Sequence, residues 1–376
     1  MSKSLFRRFS KKFFIITNLV VAFFFLLSCY GKWLHPNNWW PVGLITLASF
    51  YLLIILILFI IFWFFAKARW SLISIIAMLL AYKPITRIIP LRFATGFSMQ
   101  KKDGSLRVMS WNVEHFDILE YKTHPEVKEQ MLSLINEYQP DIACFQEMVG
   151  ADSNSKTINY IPDMAKRLHY DQLFYSYNPK LDFGWGHHFG IIMFSKYPII
   201  NKKTVSFLPN DYNSIFQYAD IVKGPDTIRV FNIHLQSLKF SSTNLKYIEK
   251  PSLSDQEDIE KSKGVISKLK TGFVKRGIQA DRIRAEMDNS PYPVIVCGDF
   301  NDVPNSYAYN KIGSGLQNAF EEKGSGLGRT FSGISPTLRI DNIFADEKMK
   351  VEQYTRVKKK LSDHFPVLAD LAFPKK

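Results

Sequence analysis

The sequence is poor in cysteine, with three in 376 residues. Cys29 lies in a long apolar run, whereas Cys144 and Cys297 lie in short, apolar, strand-like runs. Small secreted domains that depend on disulfides carry a denser, spaced set of cysteines. The cysteine content therefore indicates no disulfide framework, and it leaves the redox compartment open.

Acidic residues are almost absent from the first 107 positions. This region holds 14 Lys and Arg against one acid, Asp103, a net charge of +13. The whole chain has 48 basic and 34 acidic residues, so 34 and 33 remain for 108–376, a net charge of +1. Proteins that grip duplex DNA usually present a basic surface, because phosphate contacts supply much of their affinity. The near-neutral remainder argues against tight, non-specific duplex binding.

Charge is also absent from two long apolar runs, Phe13–Tyr30 and Pro41–Ala66. Both are long enough to cross a bilayer, and tryptophans stand near their ends, where aromatic rings favour the interface. The first run could instead be a signal peptide, but no small-x-small cleavage site precedes the second run. The pattern predicts a membrane anchor of two or three helices over residues 1–93, followed by a linker over 94–107.

A third apolar segment, Trp70–Tyr82, is short for a membrane span, and it reaches Pro90 only by including Lys83 and Arg87. Five basic residues in the first twelve positions predict a cytoplasmic N-terminus. Two spans would keep the rest of the chain in the cytoplasm. Three spans would put it outside, where six basic residues between 83 and 107 oppose the positive-inside tendency. Charge alone favours two spans.

Beyond the linker, strand-like and helix-like patterns alternate. The run HPEVKEQMLSLINEY has its apolar residues on one helical face, and Asp255–Lys270 and Thr271–Met287 are two further helical stretches. The strand-like segments are LRVMSWNV, PDIACFQEM, GIIMFSKYPII, the hairpin SIFQYADIVKGPDTIRVFNIHLQS, PVIVCGDF, LRIDNIFAD and HFPVLADLAF. This order predicts an α/β fold in which helices cover sheets.

Five strand-like stretches finish in polar residues that catalytic sites use, namely VMSWN, IACFQE, VFNIH, VIVCGDFN and LRID, and a sixth polar stretch opens the last strand. The residues are Asn112 and Glu114, Gln146 and Glu147, His234, Asp299 and Asn301, Asp341, and the Ser362–His364 stretch. Any one of them alone is explained as a solvated loop residue, because loops are usually polar. Six together predict that the strand ends share one rim and build a site there.

The motifs SWN, QE, NIHL, GDFN, RID and SDHFP occur in the order found in the endonuclease/exonuclease/phosphatase superfamily, which the chain resembles over residues 108–376. This superfamily includes DNase I-like nucleases, inositol polyphosphate phosphatases and neutral sphingomyelinases. The resemblance implies a four-layer α/β sandwich, in which two central, mainly antiparallel sheets pack face to face between helices. Members with a similar N-terminus resemble three-span proteins, which implies an extracytoplasmic catalytic domain. With only two spans that domain would be cytoplasmic.

The resemblance also implies a metal site. Glu147 corresponds to the principal metal ligand of the superfamily, with Asn112 and Asp363 beside it. Such an oxygen-only set suits Mg²⁺, with Mn²⁺ as a second possibility, because both are hard ions.

The same resemblance implies roles for five catalytic residues. Asp299 corresponds to the group that orients or deprotonates the attacking water, and Asn301 holds it in place. His234 corresponds to a donor to a phosphoryl oxygen. His364 corresponds to the residue that stabilises developing charge, with its ring oriented by Asp341.

These residues suit phosphoester hydrolysis, in which an enzyme must neutralise an anionic group and place a water in line with the leaving group. We therefore expect a membrane-anchored, metal-dependent phosphoesterase that hydrolyses a phosphodiester, as nucleases do. A phospholipid or inositol-phosphate phosphoesterase is the first alternative, and a non-catalytic, membrane-tethered binding module is the second. The expected partners are the lipid bilayer and a phosphoester substrate (nucleic acid or phospholipid headgroup), with no obligate protein partner.

Overall fold

The computed structural model describes residues 3–92, 96–152, 157–179, 186–206, 215–238, 240–252 and 256–373. The predicted boundary between anchor and linker, at residues 93 and 94, and the C-terminal residue of the predicted catalytic domain, 376, lie outside these ranges. The helices are α1 (Lys3–Tyr30), α2 (Pro36–Trp39), α3 (Pro41–Leu47), α4 (Ser49–Lys67), α5 (Leu72–Leu80), α6 (Tyr82–Ile88), α7 (Pro125–Tyr138), α8 (Ile161–Arg167), α9 (Ser242–Glu249), α10 (Gln256–Asp288), α11 (Tyr307–Ile312) and α12 (Ala319–Lys323).

Two six-stranded sheets form the centre of the region between Leu106 and Ala372. The strands are β1 (Leu106–Asn112), β2 (Ile142–Ala151), β3 (Gln172–Tyr177), β4 (His187–Ser195), β5 (Ile199–Ser206), β6 (Ile215–Lys223), β7 (Asp226–His234), β8 (Val294–Asp299), β9 (Leu316–Asn318), β10 (Asp341–Asp346), β11 (Lys350–Arg356) and β12 (Val367–Ala372). The first sheet has the order β11-β12-β1-β2-β4-β3 and the second β5-β6-β7-β8-β10-β9. The central pairs, β1 with β2 and β7 with β8, are parallel, and the other pairs are antiparallel.

Three apolar cores separate four layers. Alternate residues of one strand enter different cores, as a side-chain period of two requires. In β1, Val108 packs between the sheets and Met109 packs toward α7; in β8, Ile295 packs between the sheets and Val296 packs toward α10. The layers are thus helix, sheet, sheet and helix, which confirms the predicted four-layer sandwich.

The structure corrects two element predictions. The two helical stretches predicted after residue 254 are one helix of 33 residues, α10. Gly272 does not end this helix; a side chain there would meet Leu238, so the glycine permits close packing. The run GIIMFSKYPII is not one strand, because Ser195 bonds both backbone polar groups of Tyr197 in a turn, and β4 and β5 then join different sheets.

Two stretches in the N-terminal region are long and apolar enough to cross a membrane, Arg7–Trp33 and Ser49–Leu80. The second stretch is not one straight helix. Lys67 has φ −169° and ψ 89°, outside the helical region, and a 3₁₀ turn over Ala68–Ser71 separates α4 from α5. The chain therefore reverses direction after α4.

Contacts along α1 give the direction of the other two helices. In the first half of α1, the ring of Phe14 lies 4.9 Å from that of Phe62 in the second half of α4. Asn18 accepts a hydrogen bond from Ser74 of α5 at 2.7 Å, and Tyr30 at the end of α1 donates to the carbonyl of Leu80 at the end of α5. Helix α4 therefore runs antiparallel to α1, and α5 runs parallel to α1. Helix α6 leaves the bundle at the end opposite the N-terminus.

The catalytic domain contacts this far end of the bundle. Lys270 of α10 lies over the Trp40 ring, and Phe273 packs directly on Gly43 of α3. His35 lies 3.1 Å from Asp281, and Arg87 donates to Asn310. The anchor thus packs on the same domain that carries the predicted site residues.

Candidate active site

The topology brings the predicted site residues to one rim. Parallel strands end on the same side of a sheet, and β1, β7 and β8 end at Asn112, His234 and Asp299. The pairing of β2 with β1 stops at Gln146, directly before Glu147, but β2 itself continues past an irregularity to Ala151, so Glu147 does not end its strand as predicted. The antiparallel strand β10 begins on that side with Asp341, which pairs with Asp299, so Asp341 opens a strand and does not end one as predicted. The loop before β12 carries His364. Residues separated by up to about 250 positions in the chain therefore meet at one edge of the sandwich.

Gly298 sets the backbone for this rim. Its φ is +148°, and a Cβ atom at this position would lie 1.9 Å from the carbonyl oxygen of Ile233 on β7. Only glycine allows β7 and β8 to approach so closely. The glycine before Asp299 therefore holds that carboxylate and His234, its register partner, side by side.

Asp299 lies at the centre of the site and is 1% exposed. Asn301 donates to it twice, from its backbone N–H at 2.8 Å and from its side-chain amide at 3.0 Å. The Asn112 amide lies 3.2 Å from the same carboxylate, and the imidazoles of His234 and His364 lie at 3.5 Å and 3.7 Å. Burial raises the pKa of Asp299, and the two imidazoles reduce that rise.

His364 and Asp341 form a buried pair. The Nδ1 atom of His364 lies 2.9 Å from the Asp341 carboxylate, and Thr330 fixes Asp341 by accepting its backbone N–H. Burial disfavours the imidazolium, but the carboxylates of Asp341 and Asp299 outweigh it and raise the pKa of His364 well above its usual value. The pair therefore keeps a cationic donor, Nε2–H, directed toward Asp299.

Glu147 lies on the other side of Asp299 and is partly exposed. One carboxylate oxygen lies 3.6 Å from His234 and the other 4.0 Å from His115. Burial raises the pKa of Glu147, while His115 and a hydrogen bond from Asn112 lower it. Glu147 has φ +55°, an uncommon backbone conformation for a non-glycine residue, which occurs mainly where the surrounding structure imposes it.

Asp363 is the most open member, with 45% of its side chain exposed. Its backbone N–H donates to Glu114 at 3.0 Å, and its carboxylate lies 3.8 Å from His364. Burial raises the pKa of Asp363, and the charge of His364 opposes that rise. It lines the same cavity as Glu147, Asp299 and His364.

Two groups of carboxylates could hold a cation here. Asp299, Asp341 and His364 have ligand atoms within 4.8 Å of one another. That trio is the poorer choice, because an imidazolium cannot coordinate a metal and Asp341 is already bound to it. Glu147 and Asp363 supply carboxylate oxygens that face the open cavity, and Asn112, which is buried beside them, adds an amide oxygen that accepts the backbone N–H of Glu114. This all-oxygen donor set fits Mg²⁺ or Mn²⁺. The predicted metal residues therefore fit the ion better than the tightest cluster does.

Sequence reasoning did not identify His115 or the role of Glu114. Both belong to a run from Glu114 to Asp117 in which every φ lies between 44° and 62°. This unusual turn directs His115 toward Glu147 and places Glu114 beneath Asp363. The letters EHF, which follow SWN after one intervening residue, Val113, were the available signal, but a positive φ cannot be read from residue types such as these.

The eight predicted residues line one end of a cavity of about 440 Å³ or contact the residues that do. Its polar end is formed by Glu147, Asp299, Asn301, Asp363 and His364. The rest of its lining is mostly apolar.

Fold and rim together define an α/β sandwich of the DNase I-like class. The sequence matches the Endonuclease/Exonuclease/phosphatase family over residues 109–364, and the chain belongs to this family, whose members are phosphoester hydrolases that depend on divalent metal ions. Residues 11–88 match a second family, described as a domain of unknown function. No curated protein matches the chain.

Solved structures with a similar fold include an endonuclease/exonuclease/phosphatase family protein from Leptotrichia buccalis C-1013-b. It is 18% identical with a TM-score of 0.50, over 71% of this chain and 100% of that one. An endonuclease/exonuclease/phosphatase from Beutenbergia cavernae DSM 12333 is 18% identical with a TM-score of 0.49, over 73% and 72%. The catalytic domain of human Nocturnin is 19% identical with a TM-score of 0.49, over 72% and 94%. At these identities the likeness concerns the fold.

Proposed function

We propose that the chain is a membrane-anchored hydrolase of phosphodiesters that depends on Mg²⁺ or Mn²⁺. The observation that carries this proposal is the position of Asp299, which lies between His234 and His364 and beside Glu147 on one rim. A carboxylate, two imidazoles and a possible cation site supply the base, the donors and the charge neutralisation that this reaction needs.

Each side chain has a task that follows from its contacts. Asp299 accepts a proton from the attacking water, and Asn301 and Asn112 hold its oxygens in position. His234 donates to a phosphoryl oxygen. His364, kept cationic by Asp341, stabilises the charge that develops in the transition state.

Asn112, Glu147 and Asp363 would hold the divalent cation. When bound, the cation withdraws charge from the phosphoryl oxygens, so the water meets a less anionic phosphorus. Glu114 and His115 position these ligands, the first through the backbone of Asp363 and the second beside the Glu147 carboxylate.

The test uses the full chain in detergent micelles with bis(p-nitrophenyl) phosphate. We expect hydrolysis with Mg²⁺, its loss in EDTA, and a fall of at least about 100-fold in Glu147→Gln, because even partners of metal ligands cost 10- to 100-fold when changed. Glu126→Gln, an exposed glutamate on α7, is the matched control. Hydrolysis that ignores both EDTA and Glu147→Gln would refute the metal mechanism.

We further propose that α1, α4 and the broken helix α5–α6 each cross the membrane. Large apolar side chains lie exposed around this bundle, among them Phe23, Leu58, Phe64 and Leu79. In water such a surface would be unfavourable, whereas in lipid it is the expected exterior. Three crossings put the catalytic domain on the side opposite the N-terminus.

The basic residues after the bundle are compatible with that orientation. Five of the six between 83 and 107 form ion pairs with carboxylates: Arg87 with Glu321, Arg92 with Glu322, Lys101 with Asp141, Lys102 with Glu352 and Arg107 with Asp370. Because these charges are paired within the folded protein, they are weaker evidence for the positive-inside tendency than unpaired basic residues would be. Lys67 and Arg69, in contrast, lie in the turn at the N-terminal end of the bundle, where Lys11 lies over the Trp70 ring.

Reporter fusions after Lys376 test the orientation. Alkaline phosphatase, which folds only outside the cytoplasm, should be active, and green fluorescent protein exported by the same route should be dark. The reverse result would overturn the three-span arrangement.

A further inference from the structure

The cavity at the active site has one polar end and long apolar walls. Beyond Glu147, Asp299 and His364, its lining is formed mostly by aliphatic and aromatic side chains. We call this part the apolar pocket. Hydrolysis at phosphorus does not itself need an apolar surface. We therefore expect these walls to contact the part of the substrate that does not react.

One wall of the apolar pocket comes from the segment between β7 and β8. Leu238 follows β7, Leu245 and Ile248 lie on α9, and Val265 and Leu269 lie on the first half of α10. The helix α9 is fixed at its start by a capping box, in which Ser241 and Asn244 exchange side-chain to backbone hydrogen bonds. A defined surface, rather than scattered leucines, therefore faces the active site.

A second wall comes from the loop before β10. Phe331, Ile334 and Leu338 line the apolar pocket, and the Phe331 ring lies 5.1 Å from the ring of His364 in an edge-to-face arrangement. This loop therefore connects the catalytic imidazole directly with apolar surface. Ile334 is 42% exposed, at the open side of the pocket.

The anchor contributes the third wall. Leu47, the last residue of α3, lines the apolar pocket, and α4 begins two residues later. Tyr51, in the first turn of α4, lies 3.0 Å from Ser335, the neighbour of Ile334. The open side of the pocket is therefore adjacent to the point where an apolar helix, with the length of a membrane span, begins.

Charge in the lining does not favour a nucleic acid. Among the described residues that line the cavity, Arg276 is the only lysine or arginine, and Asp302 lies 3.3 Å from it. A single strand held in a groove needs cations along its backbone and exposed aromatic rings for its bases. The apolar walls consist of ten aliphatic side chains and two aromatic ones, Phe240 and Phe331, and this mainly aliphatic lining suits hydrocarbon.

We propose that the substrate is a lipid phosphodiester, whose phosphate reaches the Glu147–His364 end from the bilayer while a hydrocarbon chain occupies the apolar pocket. This inference rests on the proposed function and specifies its substrate class. The oxygen of a water bonds to phosphorus and the opposite P–O bond breaks, which gives a phosphomonoester and an alcohol. Of the two hydrogens of the water, one stays with the monoester and the other reaches the departing alkoxide by way of Asp299.

Two synthetic diesters with the same leaving group test the proposal on the full chain in mixed micelles: hexadecyl p-nitrophenyl phosphate and methyl p-nitrophenyl phosphate. We expect kcat/KM to be at least about 100-fold higher for the hexadecyl ester, because burial of a few methylenes suffices for such a factor. In Leu269→Asn and in Leu47→Asn this ratio should fall about tenfold or more. Ile278→Asn, on the exposed face of α10, is the matched control and should keep the wild-type ratio.

The possible outcomes distinguish a failure of the proposed lipid substrate from a failure of the proposed phosphodiesterase activity. A ratio near one, with hydrolysis that still needs Mg²⁺ and Glu147, would overturn the lipid substrate and leave the phosphoesterase. A high ratio that neither variant changes would also overturn it, because the preference would then come from the micelle. A higher kcat/KM for a single-stranded oligonucleotide would replace the lipid by a nucleic acid. Hydrolysis of neither ester would refute both proposals.

Discussion

Replacement of Asp341 by asparagine isolates the charge that this residue places beside His364. The amide has nearly the shape of the carboxylate, so the change keeps the packing and removes one negative charge 2.9 Å from Nδ1. Asp341 is buried, so bulk water cannot replace that charge. If the imidazolium of His364 stabilises the transition state, its population and therefore kcat should fall.

The distance sets the size of the effect. At 2.9 Å and an effective dielectric constant of about 20, two unit charges attract by roughly 6 kcal/mol, which is an upper limit. Asp299 stays 3.7 Å from Nε2 and retains part of the stabilisation. We therefore expect a net loss of about 2–4 kcal/mol, or about 30- to 1,000-fold in kcat at roughly 1.4 kcal/mol per factor of ten.

The pH profile of kcat shows in which direction the substitution changes the pKa of His364. The two carboxylates raise the pKa of His364, so the imidazolium persists above the pH at which a free histidine loses its proton. Asp341→Asn lowers that pKa, and the activity should therefore decline at a lower pH on the basic side. The contribution of this pair to stability follows the same direction, because it is present at low pH and is lost as the pH rises through the folded-state pKa.

The assay measures kcat on bis(p-nitrophenyl) phosphate between pH 5.5 and 9 at saturating Mg²⁺, with Asp346→Asn as the control. Asp346 ends the same strand, β10, and its side chain accepts a hydrogen bond from the backbone N–H of Lys348, away from the site. A variant that keeps kcat within about threefold and has an unshifted basic limb would refute the role assigned to the pair.

Three further predictions concern the scaffold and the metal. Gly298→Ala should lower the activity and should lower the free energy of unfolding by more than about 2 kcal/mol in chemical denaturation, because its Cβ would meet a backbone carbonyl. Gly264→Ala, in an open helical position, is the control and should be neutral or slightly stabilising. Equal effects of the two substitutions would contradict the argument. Arg107→Met should cost about 3–5 kcal/mol in the same measurement, because it leaves the Asp370 carboxylate buried without its partner, and a loss below 1 kcal/mol would be inconsistent with that pair. Mg²⁺ at about 100 times its dissociation constant should raise the stability of the wild type by roughly 2.7 kcal/mol and that of Glu147→Gln much less, whereas equal shifts would mean that the cation binds elsewhere.

The rim was predictable because strand ends are marked twice in the sequence. The end of an apolar run indicates where a strand ends, and the polar residue at that point indicates which side chain the strand contributes to the rim. Asn112, His234 and Asp299 follow this rule. His115 does not, because its position depends on a backbone turn with positive φ that residue types do not encode. Sequence reasoning therefore found Glu147 and Asn301 despite their positive φ, because motifs mark them, whereas no motif marked His115.

The apolar pocket was not predictable for a related reason. Its walls come from residue 47, from residues 238 to 269 and from residues 331 to 340, and no single periodic pattern contains them. Each segment taken alone resembles an ordinary amphipathic element or loop. These side chains line one pocket only because α3, α9 and the loop before β10 pack around the same opening.

In the proposed arrangement, the N-terminal bundle does more than hold the protein at a membrane. Leu47 contributes a wall of the apolar pocket, and Tyr51 contacts the loop that carries Ile334, so part of the proposed substrate site comes from the N-terminal bundle. Arg339, buried in the catalytic domain, also donates to the backbone of Arg87 at the end of the anchor. A chain without residues 1–93 would keep the rim, which comes from the sandwich, but would lose this wall. If a lipid is the substrate, the anchor contributes to selectivity as well as to location, since the helix that begins beside the pocket also brings the pocket to the bilayer.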